Sequence, residues 1–164
     1  MTIRKFVSGD AQPLSALIRR TIREVNGKDY NQAETHDILA QYTSRYVTSI
    51  AAEGSLYVAL DEDGSYLGCG AITPHDHNPG EAYVLAVFIH PDHLGRGLGK
   101  SIMKAIEADP IFRRAARVEL HSSLTAHGFY HKLGYAYTSG EAVPEVGHYN
   151  NGCYQMEKPG GAAK

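Results

Sequence analysis

The segment from Tyr83 to Ser101 limits what this chain can fold into more than any other part of it. Tyr83 to Ile89 is apolar throughout, the pattern of a central strand buried on both faces. Such a strand needs a packed layer above and below its sheet. His90-Pro91 then turns the chain into Gly95-Arg96-Gly97-Leu98-Gly99, and a helical pattern begins among the glycines. Leu98, Ile102, Met103 and Ile106 fall on one face of that helix; Lys100, Lys104 and Glu107 fall on the other. Strand, turn and helix start in this order aim several backbone N–H groups at one spot, on the positive end of a helix dipole. That spot suits a phosphate.

The flanking sequence alternates strands and helices. Ile3 to Val7 reads as a short strand, and Ser8-Gly9-Asp10 starts a helix that tolerates Pro13 in its first turn. Leu14, Leu17, Ile18, Ile22 and Val25 follow helical spacing, and Asn26-Gly27 ends the run. A second helix is expected from about 32 to 52, closed by Gly54. Strands follow at 55–60 and 66–73 around the turn Asp61-Glu62-Asp63-Gly64. Beyond the glycine segment come a strand at 117–121, a helix at 125–133 ended by Gly134, and strands near 135–139 and 152–157. The sum is one α/β domain over 1–158 with a mixed sheet, no repeat and no linker. Residues 159–164 read as a loose tail.

Composition narrows the function classes. The chain has 164 residues, 43% hydrophobic and 21% charged, with a net charge of −2. Nucleic-acid binding would call for a basic excess or stripe, and neither is present. No apolar run approaches the ~20 residues of a membrane span. No apolar h-region follows Met1, so a cytoplasmic compartment is expected. Cys69 and Cys153 sit in strand-like runs and read as free thiols.

Three phosphate-binding readings compete for the glycine segment. A Rossmann site needs G-x-G-x-x-G after the first strand; here the spacing is G-x-G-x-G after the fourth. A Walker A loop needs G-x-x-x-x-G-K-[ST]; Gly99-Lys100-Ser101 supplies its end, but Leu94 stands where the first glycine belongs. The third reading fits. Leu94-Gly95-Arg96-Gly97-Leu98-Gly99 resembles the pyrophosphate-binding motif Q/R-x-x-G-x-G/A of the GNAT superfamily of N-acetyltransferases, departing from it at Leu94. Ser123 to Tyr135 resembles the later family motif N/S-x-x-A-x-x-F-Y-x-K-x-G-F/Y, and Tyr154 to Lys158 resembles the last strand. The likeness spans roughly 55 to 158.

The resemblance implies a mostly antiparallel sheet of about six or seven strands, splayed between the fourth and fifth, with about four helices. It implies acetyl-CoA as cosubstrate and direct transfer of the acetyl group to a primary amine of a small molecule or peptide. Backbone groups of Phe88 and Ile89 would hold the pantetheine arm. Leu94, Gly95, Arg96, Gly97, Leu98, Gly99 and Lys100 would hold the pyrophosphate, and Ser123 and Ala126 would face the arm of coenzyme A. Family members often dimerise, so a homodimer is one implied partner. A catalytically weak acyl-CoA-binding regulatory module is the alternative on the same fold.

The chemistry of the residues agrees with these roles. Glycines let backbone approach a dense anion and adopt positive φ. Arg96 and Lys100 are cations at a helix N-terminus, disfavoured by ~0.3–1 kcal/mol unless an anion binds there; the other reading points both into water. Tyr130 is the candidate acid for the departing thiolate, against a packing role. Ser123 could instead cap a helix. An alkylamine of pKa near 10 loses its proton at pH 7 at a cost of roughly 4 kcal/mol, so a base would help. Glu81 is the candidate base, with Tyr83 and His121 as rivals. Nine histidines invite a metal, at His75-Asp76-His77 or His127/His131, but no further ligand with convincing spacing accompanies either, and no metal is expected. The acceptor is expected to meet the loops at 26–31 and 140–151, which carry Lys28, Asp29, Tyr30, Glu141, Glu145 and His148.

Overall fold

The computed structural model describes residues 1–144 and 152–163. Its strands are β1 Thr2–Lys5, β2 Ser55–Leu60, β3 Tyr66–Pro74, β4 Ala82–Ile89, β5 Arg117–Ser122, β6 Ala136–Tyr137 and β7 Tyr154–Pro159. They form one sheet in the order β1-β2-β3-β4-β5-β7-β6. Every neighbouring pair is antiparallel except β4 and β5. The helices among the described residues are α1 Ala11–Glu24, α2 Gln32–Gln41, α3 Ser44–Glu53, α4 Leu98–Glu107, α5 Pro110–Arg114 and α6 His127–Lys132.

Both faces of the sheet are covered, as the apolar β4 requires. On one face Leu14, Ile18 and Ile22 of α1 and Val47 and Ile50 of α3 pack with Val58, Cys69 and Ala71. On the other, Ile102, Met103 and Ile106 of α4 pack with Ile72, Val84, Leu120 and Met156. Each fully buried aliphatic side chain of this kind contributes about 1.5–3 kcal/mol.

One irregularity in β4 shapes the rest. Cys69 pairs with Phe88, but Ala71 pairs with Leu85, so β4 carries one extra residue opposite Gly70. Ala86 sits there with φ of 52°. This β-bulge puts Leu85 and Ala86 on the same face, toward α1 and α3. Pairing of β4 with β5 covers only Ala82–Val84 against Val118–Leu120 and ends at the bulge. The second half of β4 therefore parts from β5, and the sheet is splayed there.

Several local expectations need correction. The single helix expected over 32–52 is two, α2 and α3. Thr43 breaks it as an N-cap, its side chain accepting the Tyr46 N–H at 3.2 Å. Ser15 Oγ donates to the Tyr42 carbonyl at 2.7 Å, and Arg19 donates to the Leu39 carbonyl, so side chains of α1 satisfy the end of α2. The apolar spacing runs through this break and hid it. Helix α5 is not among the expected elements, although Asp109-Pro110 is a start signal: the Asp109 carboxylate accepts the Ile111 N–H at 2.8 Å. Among the described residues the α-helices thus number six rather than about four. In the segment read as a tail, the N–H groups of Gly160, Gly161 and Ala162 donate to the Ala116, Phe112 and Ala115 carbonyls.

Candidate active site

The parting of β4 from β5 opens into two cavities. The larger, about 580 Å³, lies between the free half of β4, the glycine loop and the start of α6. That volume falls in the ordinary range of ~300–1,000 Å³ for small-molecule sites. The smaller, about 180 Å³, is walled by Ile22, Tyr30, Ile38 and Tyr42 on the α1–α2 side and by Leu85 and His121 from the sheet. Asn26, Val87, Phe88, Ser123, Ala126 and Tyr130 line both, so the cavities meet at these six residues.

The glycine loop forms one end of the larger cavity. Gly97 is the N-cap of α4 and has φ of 80°, a left-handed conformation that other residues seldom adopt. The first helical N–H groups, those of Leu98, Gly99 and Lys100, have no acceptor within the helix. Ser101 is the first to bond back, to the Gly97 carbonyl at 3.1 Å. Gly99 is glycine for another reason: a Cβ there would stand 3.0 Å from the Phe129 ring. Absence of a side chain lets α6 close against α4.

The sequence-derived cofactor residues converge with one exception. Phe88, Ile89, Leu94, Gly95, Gly97, Leu98, Gly99, Lys100, Ser123 and Ala126 all line the larger cavity. Arg96 is exposed and does not. Leu94 is 48% exposed at the rim, so the departure from the motif removes no buried contact. Ser123 is not the N-cap of α6. Ala126 holds that place, and the Ser123 carbonyl accepts the Ala126 N–H at 3.2 Å.

Tyr130 stands at the junction, buried, with its ring edge-on to Phe129 and Tyr135. Burial alone pushes its hydroxyl well above the ordinary tyrosine range. The hydroxyl is therefore protonated throughout the physiological range and able to donate.

Glu81 is placed differently from the expectation. It precedes β4 and lines neither cavity. Arg117 reaches Glu81 at 2.8 Å, Glu119 at 3.3 Å and Glu157 at 2.5 Å. Its hydrogen bond holds the Glu81 carboxyl below the usual range, which makes Glu81 a poor proton acceptor. His121 does reach the smaller cavity. Its Nε2 lies 3.1 Å from Glu119 Oε1, and its ring meets Tyr83 edge-on. Burial first, then the Glu119 charge, raises the Tyr83 hydroxyl above its ordinary range.

Three structural contacts escaped the sequence reading. Thr21 Oγ1 donates to the Ile89 carbonyl at 3.0 Å. Arg20 bridges His90 and Asp92 in the turn that leads to the glycine loop. Asp29, in the loop assigned to the acceptor, accepts both the Thr125 hydroxyl at 2.8 Å and its N–H at 3.2 Å. These fix the end of α1 to both sides of the cavity, and no spacing rule links residues so far apart. Glu145 and His148 of the second acceptor loop lie outside the described residues. The histidine pair of α6 is aromatic in character: His127 stacks on Tyr154 and bonds the Tyr137 hydroxyl at 2.7 Å, and His131 stacks on Tyr137. Among the described residues no group of three or more His, Cys, Asp or Glu side chains is arranged to hold a metal. Among them, too, no helix is long and apolar enough to cross a membrane.

The splayed β4–β5 pair, the glycine loop that opens α4 and the buried tyrosine on α6 thus surround one pair of joined cavities. The chain belongs to the acetyltransferase (GNAT) family, whose sequence model matches residues 18–135. No similar sequence is found among the curated proteins. Solved structures share the fold. The PaiA N-acetyltransferase of Thermoplasma acidophilum, solved with coenzyme A, superposes with a TM-score of 0.78 at 15% identity, over 96% of this chain and 98% of that one. A GCN5-related N-acetyltransferase from Rhodopseudomonas palustris gives 0.77 at 19% identity, over 96% and 94%. An aminoglycoside 6′-N-acetyltransferase with coenzyme A gives 0.69 at 15% identity, over 97% of each chain.

Proposed function

We propose that this protein transfers the acetyl group of acetyl-CoA directly to a primary amine. The observation that carries the reading is the meeting of two cavities of different character at Tyr130. The larger ends in free helix N–H groups and Lys100, and fits a long ligand with an anionic head. The smaller is lined by Tyr30 and Tyr42 together with the polar side chains of Asn26, His121, Ser122 and Ser123, and fits an amine acceptor. Neighbours solved with coenzyme A support the first assignment.

The residues divide the work as follows. Backbone N–H groups of the glycine loop bind the pyrophosphate, and the edge of β4 that β5 leaves open offers Phe88 and Ile89 to the pantetheine arm. Tyr130 protonates the departing thiolate. His121 takes the proton from the amine, directly or through water, with Glu119 fixing its ring. Glu81 belongs to the Arg117 ion-pair cluster rather than to the chemistry.

Thiol release from acetyl-CoA, measured over amino acids, polyamines, aminoglycosides and short peptides, tests this. Release with at least one amine is expected. Tight coenzyme A binding without release across the whole panel would replace the enzyme by a regulatory coenzyme A-binding module.

A further inference from the structure

Asn26 follows the last turn of α1, in a short 3-10 turn where the sequence shows only a helix stop. It lines both cavities. Its side-chain oxygen is buried and makes no hydrogen bond. Among the described residues only the Tyr135 hydroxyl shares that state, and Tyr135 lines neither cavity. A buried amide oxygen without a donor costs about as much as a lost hydrogen bond, so one kept at a cavity junction points to a donor that arrives with a ligand.

Of the groups that would meet at this junction, the thioester carbonyl and the sulfur only accept. The acceptor amine carries N–H. We infer that Asn26 is a catalytic residue whose amide oxygen accepts a hydrogen bond from the attacking amine, an assignment that rests on the acetyl-transfer reading above. Rotation about the Cβ–Cγ bond, a soft torsion, turns the oxygen toward the junction. One N–H held by Asn26 directs the nitrogen lone pair at the thioester carbon.

The step balances. The lone pair forms the C–N bond while the C=O π pair moves to oxygen, leaving a tetrahedral centre with positive nitrogen. The oxygen pair returns, the C–S bond breaks, and the sulfur leaves with its electrons and takes the Tyr130 proton. One ammonium proton passes to His121, and its transfer through solvent to the Tyr130 phenolate restores both groups. Products are the amide and the free thiol. Positive charge grows on nitrogen as the bond forms, so the bond to Asn26 strengthens toward the transition state and acts on kcat.

The test compares the wild-type chain with N26L and N26A. It measures thiol release from acetyl-CoA with benzylamine, butylamine, putrescine and leucine amide, the Kd of coenzyme A, and Tm. With every amine the wild type accepts, kcat is expected to fall about 10- to 100-fold in both variants. Coenzyme A affinity should stay within twofold. Tm should hold or rise by about 2–4 °C in N26L, because an unsatisfied polar atom has gone. A kcat within twofold of wild type overturns the assignment. So does a tenfold loss of coenzyme A affinity with kcat kept, which gives the oxygen to the pantetheine amide instead. A Tm fall beyond about 4 °C in both variants assigns Asn26 a structural role. No release by the wild type with these four amines or the wider panel overturns the acetyl-transfer reading itself, and this role with it.

Discussion

In the proposed reaction Tyr130 acts as the acid and His121 as the base. Burial keeps the Tyr130 hydroxyl protonated, which suits an acid and disqualifies it as a base. Tyr130→Phe should lower kcat about 100-fold while leaving coenzyme A affinity within a factor of about two, read by steady-state thiol release and by titration. Glu81 and His121 give the paired experiment. Glu81→Gln removes one of three carboxylate partners of Arg117 and should leave kcat/KM within about threefold. His121→Gln should lower it about 100-fold. The reverse ranking would return the base role to Glu81. The place of Tyr130 on a short helix is legible in the sequence because its motif is local. Which of Glu81, Tyr83 and His121 reaches a cavity is not, because it depends on tertiary contacts such as the ion pair between Glu81 and Arg117, 36 residues apart.

At the scale of elements, the glycine loop and α4 act as one unit whose geometry is set by Gly97. An Ala there meets no atom within 4 Å, so its effect is conformational alone. Holding a Cβ-bearing residue in the left-handed region costs about 1–2 kcal/mol. Gly97→Ala should therefore lose about that much stability in thermal unfolding and weaken coenzyme A binding several-fold by tilting the first N–H groups. The strand-loop-helix order and the inward face of α4 were readable from period and turn chemistry. The bulge at Ala86 was not: it inserts one residue into an unbroken apolar run, and such a run has no alternation to interrupt. The break between α2 and α3 was hidden in the same way, under spacing that continues across it.

On the scale of the whole molecule, the N-terminal strand is fastened to the sheet by a buried carboxylate. Asp10 accepts from Arg4 at 2.7 and 2.8 Å, from the Val7 N–H at 2.8 Å and from the Tyr66 hydroxyl at 2.8 Å. The Arg4 hydrogen bonds, then the Val7 N–H and Tyr66, lower its carboxyl from 3.8 to about 2 against the opposing effect of burial. Between those values the unfolded chain binds more protons than the folded one. The contribution, about 2 kcal/mol, is thus complete above roughly pH 5 and is lost as pH falls through 2. Asp10→Ala should abolish that acid-dependent part, seen as a flatter Tm profile between pH 5 and 2. Sequence by itself determined the α/β class, the order of most strands and helices, the glycine loop that opens α4 and the helix that carries Tyr130, because these rest on period, turn residues and short motifs that act within a few neighbours. Only the tertiary structure decided where β4 leaves β5, which carboxylates are consumed in ion pairs, how α1 is tied to both sides of the cavity, and that Asn26 stands unsatisfied where the two cavities meet. Those are contacts between residues far apart in the chain, and their geometry exists only once the sheet has closed around them.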